Sequence, residues 1–156
     1  MEWMGQYKEV SELIIKVMNE YTFIHKKQIN YGDDESISFS EAQVIEEIIR
    51  HKDSNMTDLS KELGVTKAAI TKTMKKLENK GFITRFKQEF NKKEIFVSIT
   101  KKGHEIYKHY QEYMYTNLFG ELFQMFSAVD PSHAEMIFQF FNSVDKSLSK
   151  ISLAKL

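Results

Sequence analysis

One stretch of 25 residues limits this chain more than any other. Thr57 to Gly81 reads TDLSKELGVTKAAITKTMKKLENKG. Thr57 can cap a short helix, Asp58 to Leu63, with Leu59 and Leu63 turned inward, and Gly64 can end it in a left-handed turn. Thr66 can cap a second helix, about Lys67 to Lys80, closed by Gly81. On that helix Ile70, Met74 and Leu77 recur at helical spacing and predict an inner face, with Ala69 and Thr73 beside them. Lys67, Ala68, Thr71, Lys72, Lys75 and Lys76 fall on the outer face. The pattern is helix, tight glycine turn, helix.

The next segment of the chain narrows the reading further. Phe82–Phe86 and Glu94–Ile99 are rich in β-branched and aromatic residues and predict two strands. Lys87–Lys93 is a polar, mostly basic connection between them. A helix-turn-helix followed at once by a basic hairpin is a winged helix, whose second helix suits the major groove of double-stranded DNA while the hairpin reaches along the backbone. In that setting Thr66 and Thr71 offer hydroxyls to phosphates or bases, and Ala68 is small enough to approach a thymine methyl. Lys67, Lys72, Lys75 and Lys76 are flexible point charges better matched to phosphate than to base edges. Arg85 stands where it would support the hairpin and touch the DNA backbone. Three other readings compete: a solvated lysine face, a winged helix that binds a protein partner, and an architectural DNA-binding protein. Salt-sensitive binding to DNA separates the DNA readings from the other two.

The flanking segments predict long helices. From about Trp3 to Asn30 the apolar residues Trp3, Tyr7, Val10, Ile14, Val17, Tyr21 and Ile24 are spaced four and three in alternation, a heptad-like seam that needs an extended apolar partner. Tyr31 to Ser36 reads as a loop. Ser40 with Gln43 forms a capping box, with Phe39 and Val44 as its staple, for a helix ending near His51; Lys52 to Asn55 is a polar connection. After the hairpin Thr100 caps a helix running from about Lys101 to Phe126, and Asp130-Pro131 opens a last one carrying Ile137, Phe138, Phe140, Phe141 and Val144. So many large apolar residues on more than one face exceed what a small lobe can bury and predict an interface between two copies.

Composition then excludes several classes. The 156 residues suit one domain, and a single proline and six glycines favour helices. There is no cysteine, which removes disulfides, thiolate metal sites and a cysteine nucleophile together. The five histidines lack ligand spacing: His104 and His109 are five apart, so no metal site and no cofactor is expected. No nucleophile elbow, phosphate loop or HExxH motif appears, and an enzyme is not expected. No apolar run approaches the ~18 residues of a membrane span, and Met1–Val10 does not read as a signal peptide, so a soluble, cytoplasmic protein is expected. The net charge of zero conceals an asymmetry. Residues 61–103 hold twelve Lys and Arg against four Glu, a balance of +8, so the remainder of the neutral chain stands at −8. A local basic patch of this kind is what an electrostatic footprint on DNA requires.

With these residues in hand, the chain resembles regulators of the MarR type over nearly its full length. The resemblance rests on SFSEAQVIEEI, MTDLSKELGVTKAAITKTMKKLENKGFITR, the hairpin running into VSITKKG, and VDPSHAEMIFQFF. It implies a mainly α fold with a small β-hairpin wing, in which a winged lobe at about 37–99 is flanked by dimerisation helices at about 3–30 and 100–150. It also implies a homodimer on a pseudo-palindromic operator and repression relieved by a small-molecule effector, with Tyr21, His25, Phe39 and Tyr107 on the elements that flank the family's pocket. The family's wing usually carries aspartate, any residue, then arginine; here those positions are Asn91, Lys92 and Lys93. Lys92 and Lys93 keep positive charge without the planar fork of arginine.

Overall fold

In the computed structural model the described residues are 2–31, 35–51, 56–88 and 91–153, and the side chains of residues 2, 57, 87–95, 152 and 153 also lie outside the description. The chain divides into two compact units, Met1–Tyr110 and Gln111–Leu156. Among the described residues no helix is long and apolar enough to cross a membrane.

The first unit opens with a short 3₁₀ segment, Glu2–Tyr7, broken at Gly5, and continues as α1, Lys8–Ile24. The helix therefore stops short of Asn30. Gln28–Asn30 is instead a strand, β1, paired antiparallel with β2, Ser36–Ser38, in the register Gln28↔Ser38 and Asn30↔Ser36. The periodicity does not predict this small hairpin, and Ser36 belongs to it rather than to a loop. Helix α2 spans Phe39–Arg50. Its capping box is Ser38 with Glu41, not Ser40 with Gln43: Ser38 Oγ accepts from the Glu41 N–H at 3.2 Å, and Glu41 Oε2 accepts from the Ser38 N–H at 2.8 Å. Phe39 is then the first helical residue. Two boxes overlap in SFSEAQ, and the one whose third position is an ionised carboxylate makes the stronger, charge-assisted bond. The polar connection expected at Lys52–Asn55 lies outside the described residues.

Helix α3, Met56–Glu62, opens one residue ahead of Thr57, which is inside the helix rather than its cap. Helix α4, Lys67–Asn79, is capped as the sequence predicts, with Thr66 Oγ1 accepting from the Ala69 N–H at 3.2 Å. Gly64 (φ +62°) and Gly81 (φ +73°) take the left-handed conformation where the two helices end. Strands β3, Ile83–Gln88, and β4, Asn91–Ile99, form a second antiparallel pair running from Ile83↔Ile99 to Gln88↔Asn91, irregular between Phe86 and Gln88. The wing is longer than expected: Lys87 and Gln88 extend one strand, and Asn91, Lys92 and Lys93 belong to the other rather than to a connection. Thr100 ties this hairpin to the helix before it. Its Oγ1 donates to the Gly81 carbonyl at 2.7 Å and accepts from the Gly103 N–H at 3.0 Å, capping α5, Lys101–Met114.

The core of this unit is continuous from α2 through the helix-turn-helix to the wing. Ile37, Ile45, Leu59, Ile70, Met74, Leu77, Phe82, Ile83 and Ile106 are all buried. Each such side chain contributes on the order of 1.5–3 kcal/mol by leaving water.

In the second unit α5 gives way to one turn of π-helix, Tyr115–Phe119, then α6, Gly120–Ser127, so the single long helix expected from 101 to 126 is present with its hydrogen-bond ladder widened midway. Helix α7, Pro131–Leu153, starts as expected after Asp130, whose Oδ1 accepts from the Ser132 N–H at 2.9 Å. Hydrogen bonds from Ser132 hold that carboxyl below its ordinary value.

Candidate nucleic-acid interface

Helix α4 presents two faces of opposite character. Ile70, Met74 and Leu77 are buried and fix its inner side. Lys67, Ala68, Thr71, Lys72, Lys75 and Lys76 are all exposed, as is Thr66 at the cap. Four lysines therefore lie along one solvent-facing surface beginning at a helix N-terminus, where the backbone N–H groups add positive potential. Three of the exposed residues are small. Thr71 Oγ1 donates to the Lys67 carbonyl at 2.8 Å, which commits its proton to the helix and leaves its oxygen lone pairs outward as acceptors.

Arg85, on β3, is partly withdrawn from solvent. Its Nε lies 3.1 Å from Glu78 Oε2 on the last turn of α4. The sequence reading expects Arg85 to support the wing; in the structure the ion pair joins β3 to the last turn of α4, and nothing in the sequence points to Glu78. Lys92 and Lys93 lie on β4, with side chains outside the described ones.

The four residues associated with a small-molecule pocket stand in one aromatic cluster. Tyr21, His25 and Phe39 form a triangle of ring contacts with centroids 5.3, 5.4 and 5.9 Å apart. Phe39 meets Tyr110 edge-on at 6.1 Å, and Tyr110 stacks on Tyr107 at 6.2 Å. Burial raises the Tyr21 phenol, against a hydrogen bond with Gln43, and pushes the Tyr110 phenol far up, with neighbouring Tyr107 adding to the effect. These hydroxyls stay protonated and act as hydrogen-bond donors or acceptors, not as bases. His25 also lines a cavity of about 290 Å³ that reaches Ser40, Gln43 and Val65 and ends at Lys72 and Lys76 of α4.

The architecture is that of a winged helix-turn-helix: a capped second helix with a basic outer face, followed directly by an antiparallel hairpin. Residues 37–95 match the model of the MarR family. Over 92 residues, 57% of the chain, it is 26% identical to YhjH of Bacillus subtilis, an uncharacterized HTH-type transcriptional regulator, and the match covers 53% of that protein. Over 64 residues, 41% of the chain, it is 33% identical to the HTH-type transcriptional regulator PchR of the same organism, covering 38% of it. The chain thus matches about half or less of the length of these curated relatives. Among solved structures, Streptococcus pneumoniae FabT in complex with DNA superposes with a TM-score of 0.68 at 20% identity, over 94% of this chain and 99% of that one, a likeness of fold.

Proposed function

We propose that this chain is a DNA-binding transcriptional regulator that binds a pseudo-palindromic operator as a homodimer, represses by occupying it, and is released by a small effector. The observation that carries the reading is the exposed basic face of α4, anchored by a buried inner face and joined to the hairpin through Thr100. Structural likeness to a protein captured in complex with DNA supports it. Lys67, Lys72, Lys75 and Lys76 take phosphates, Thr66, Ala68 and Thr71 face the groove floor, and Arg85 with Lys92 and Lys93 serves the wing.

The dimer rests on apolar surface. On α1, Leu13 is 59% exposed and Val17 56%; on α7, Phe138 is 59% exposed and Phe141 64%. Helices that expose such residues along their length bury them against another chain. A dyad would set two copies of α4 about 34 Å apart, one turn of DNA. The effector reading rests on the aromatic cluster and the cavity beside it, which connects His25 on one side with Lys72 and Lys76 on the other. A ligand there would bias the protein between binding-competent and incompetent forms by its differential affinity for the two.

The deciding experiment is selection of retained sequences from random duplexes by the purified protein. An enriched inverted repeat supports the regulator and supplies its operator. Retention that depends steeply on salt with no enrichment would make the protein architectural. No retention at low salt would overturn DNA binding.

A further inference from the structure

Lys80, the C-cap of the recognition helix, adds a positive charge at its end. The Lys80 ammonium donates to Glu41 Oε2 at 2.8 Å, to Gln28 Oε1 at 3.0 Å and to the Ser36 carbonyl at 3.0 Å. An ammonium has three N–H donors, and three oxygens take them. The Phe82 ring lies 5.9 Å beneath the charge. No donor is left for a phosphate.

The acceptors come from one place in the fold. Gln28 and Ser36 belong to the β1–β2 hairpin that connects α1 with α2, and Glu41 is the capping-box carboxylate of α2. Ser36 Oγ donates to Gln28 Oε1 at 3.1 Å, and Gln28 Nε2 donates to Glu41 Oε2 at 3.4 Å. Glu41 is 1% exposed, and its Oε1 has no hydrogen-bond partner among the described residues. Its charge is therefore balanced chiefly by Lys80, from 39 residues away.

We infer that Lys80 is a positioning residue: it pins the C-terminal end of the recognition helix to the hairpin between α1 and α2, and thereby sets the angle at which that helix is offered to the major groove. The inference deepens the DNA-binding reading and rests on it for its consequence at DNA, while the pinning itself is a property of the free protein. A helix held by its buried face alone can roll about its axis. A half-buried three-way polar contact at one end, made to a buried carboxylate, restrains both roll and tilt, because its geometry tolerates little displacement. Base reading requires that accuracy, whereas phosphate attraction does not.

The test uses full-length protein, the operator obtained by selection and a scrambled duplex, titrated over a range of salt. Lys80→Met is compared with Glu41→Gln/Lys80→Met, in which glutamine retains the capping box and no charge is left buried. Should the single variant not fold, the double variant decides. The expected result for the double variant is a tenfold or greater loss of operator affinity, with affinity for the scrambled duplex and the salt slope both unchanged. A salt slope reduced by about one would make Lys80 a phosphate contact and overturn the inference. Full operator affinity in the double variant would make the pair an element of stability only, and would overturn it as well. Amide hydrogen exchange on the free protein is independent of the DNA reading. Faster exchange in the double variant at both residues 76–81 and the hairpin, with α3 unchanged, supports the pinning even if wild type selects no operator, and unchanged exchange at those two segments overturns it.

Discussion

A Cβ placed on Gly103 would stand 2.0 Å from the carbonyl oxygen of Phe82 and 2.7 Å from Cγ2 of Ile99. The first turn of α5 therefore runs against the backbone at the start of the wing, at a point where the Phe82 carbonyl already accepts from the Thr100 N–H at 3.0 Å. Backbone does not yield as a flexible side chain does. Gly103→Ala is expected to destabilise the protein at or above the upper end of the ~1–3 kcal/mol of a typical overpacking substitution. Denaturant unfolding measures it. A midpoint equal to wild type would mean that α5 slides freely along the wing, contrary to this close approach.

The Glu41 carboxyl predicts an acid-sensitive stability. Burial alone would raise it, but hydrogen bonds from Lys80 and the Ser38 N–H, the Lys80 charge and Gln28 together hold it below its ordinary 4.5. The folded state therefore binds fewer protons than the unfolded chain through this range. The contribution is complete above about pH 4.5 and is lost as pH falls through the lower folded value. Unfolding free energies of wild type and Glu41→Gln, compared from pH 7 down to pH 3, are expected to differ most at neutral pH and to converge in acid. A difference that stays constant over that interval would show that Glu41 titrates as it does in the unfolded chain.

How far the sequence reveals this arrangement depends on the range of the interaction concerned. Helix α4 is legible because Ile70, Met74 and Leu77 follow the helical period, and because Thr66 and Gly81 mark its ends locally. The hairpin of β1 and β2 is not, since Gln28-Ile29-Asn30 is too short to display an alternation and continues a helical pattern without a breaker. The outer part of the wing reads as a connection because Lys87, Gln88, Asn91, Lys92 and Lys93 have the polar composition of a loop; nothing in their chemistry marks strand. The capping box reads two residues late in the sequence because serine recurs at 38 and 40, each with an acceptor three residues on. The site shows the same division. The outward lysines follow from periodicity, while the Lys80–Glu41 contact joins residues 39 positions apart and has no local signature. Gly103 likewise gives no sign in sequence of the backbone it lies against.

The apolar surface of the terminal helices makes a prediction about assembly. Val17→Glu and Phe141→Glu each place a charge on an exposed position that the proposed dimer would bury, where an unpaired carboxylate is strongly unfavourable. Sedimentation is expected to give a dimer for wild type and a concentration-dependent shift toward monomer for each variant, with operator affinity falling in parallel because one half-site contributes far less than two. Wild type sedimenting as a monomer at micromolar concentration would remove the homodimer from the proposal and leave the exposed residues to another partner.

The lysine face allows the sharpest separation of positioning from charge. Each phosphate neutralised contributes about 0.9 to the slope of log affinity against log salt concentration. Lys72→Ala/Lys75→Ala is therefore expected to weaken binding to operator and scrambled duplexes alike, and to flatten that slope by roughly two contacts' worth. Thr66→Ala is the matched comparison. It removes the cap on the Ala69 N–H, which lowers stability by about 1 kcal/mol, yet it takes away no charge and should leave the slope unchanged. Titrations of the three proteins over roughly 50–200 mM salt decide the matter, a range over which phosphate contacts change affinity by orders of magnitude. A slope unaltered by loss of both lysines would place the DNA contact on another face of the protein, and the outward row of α4 would then be a solvated surface.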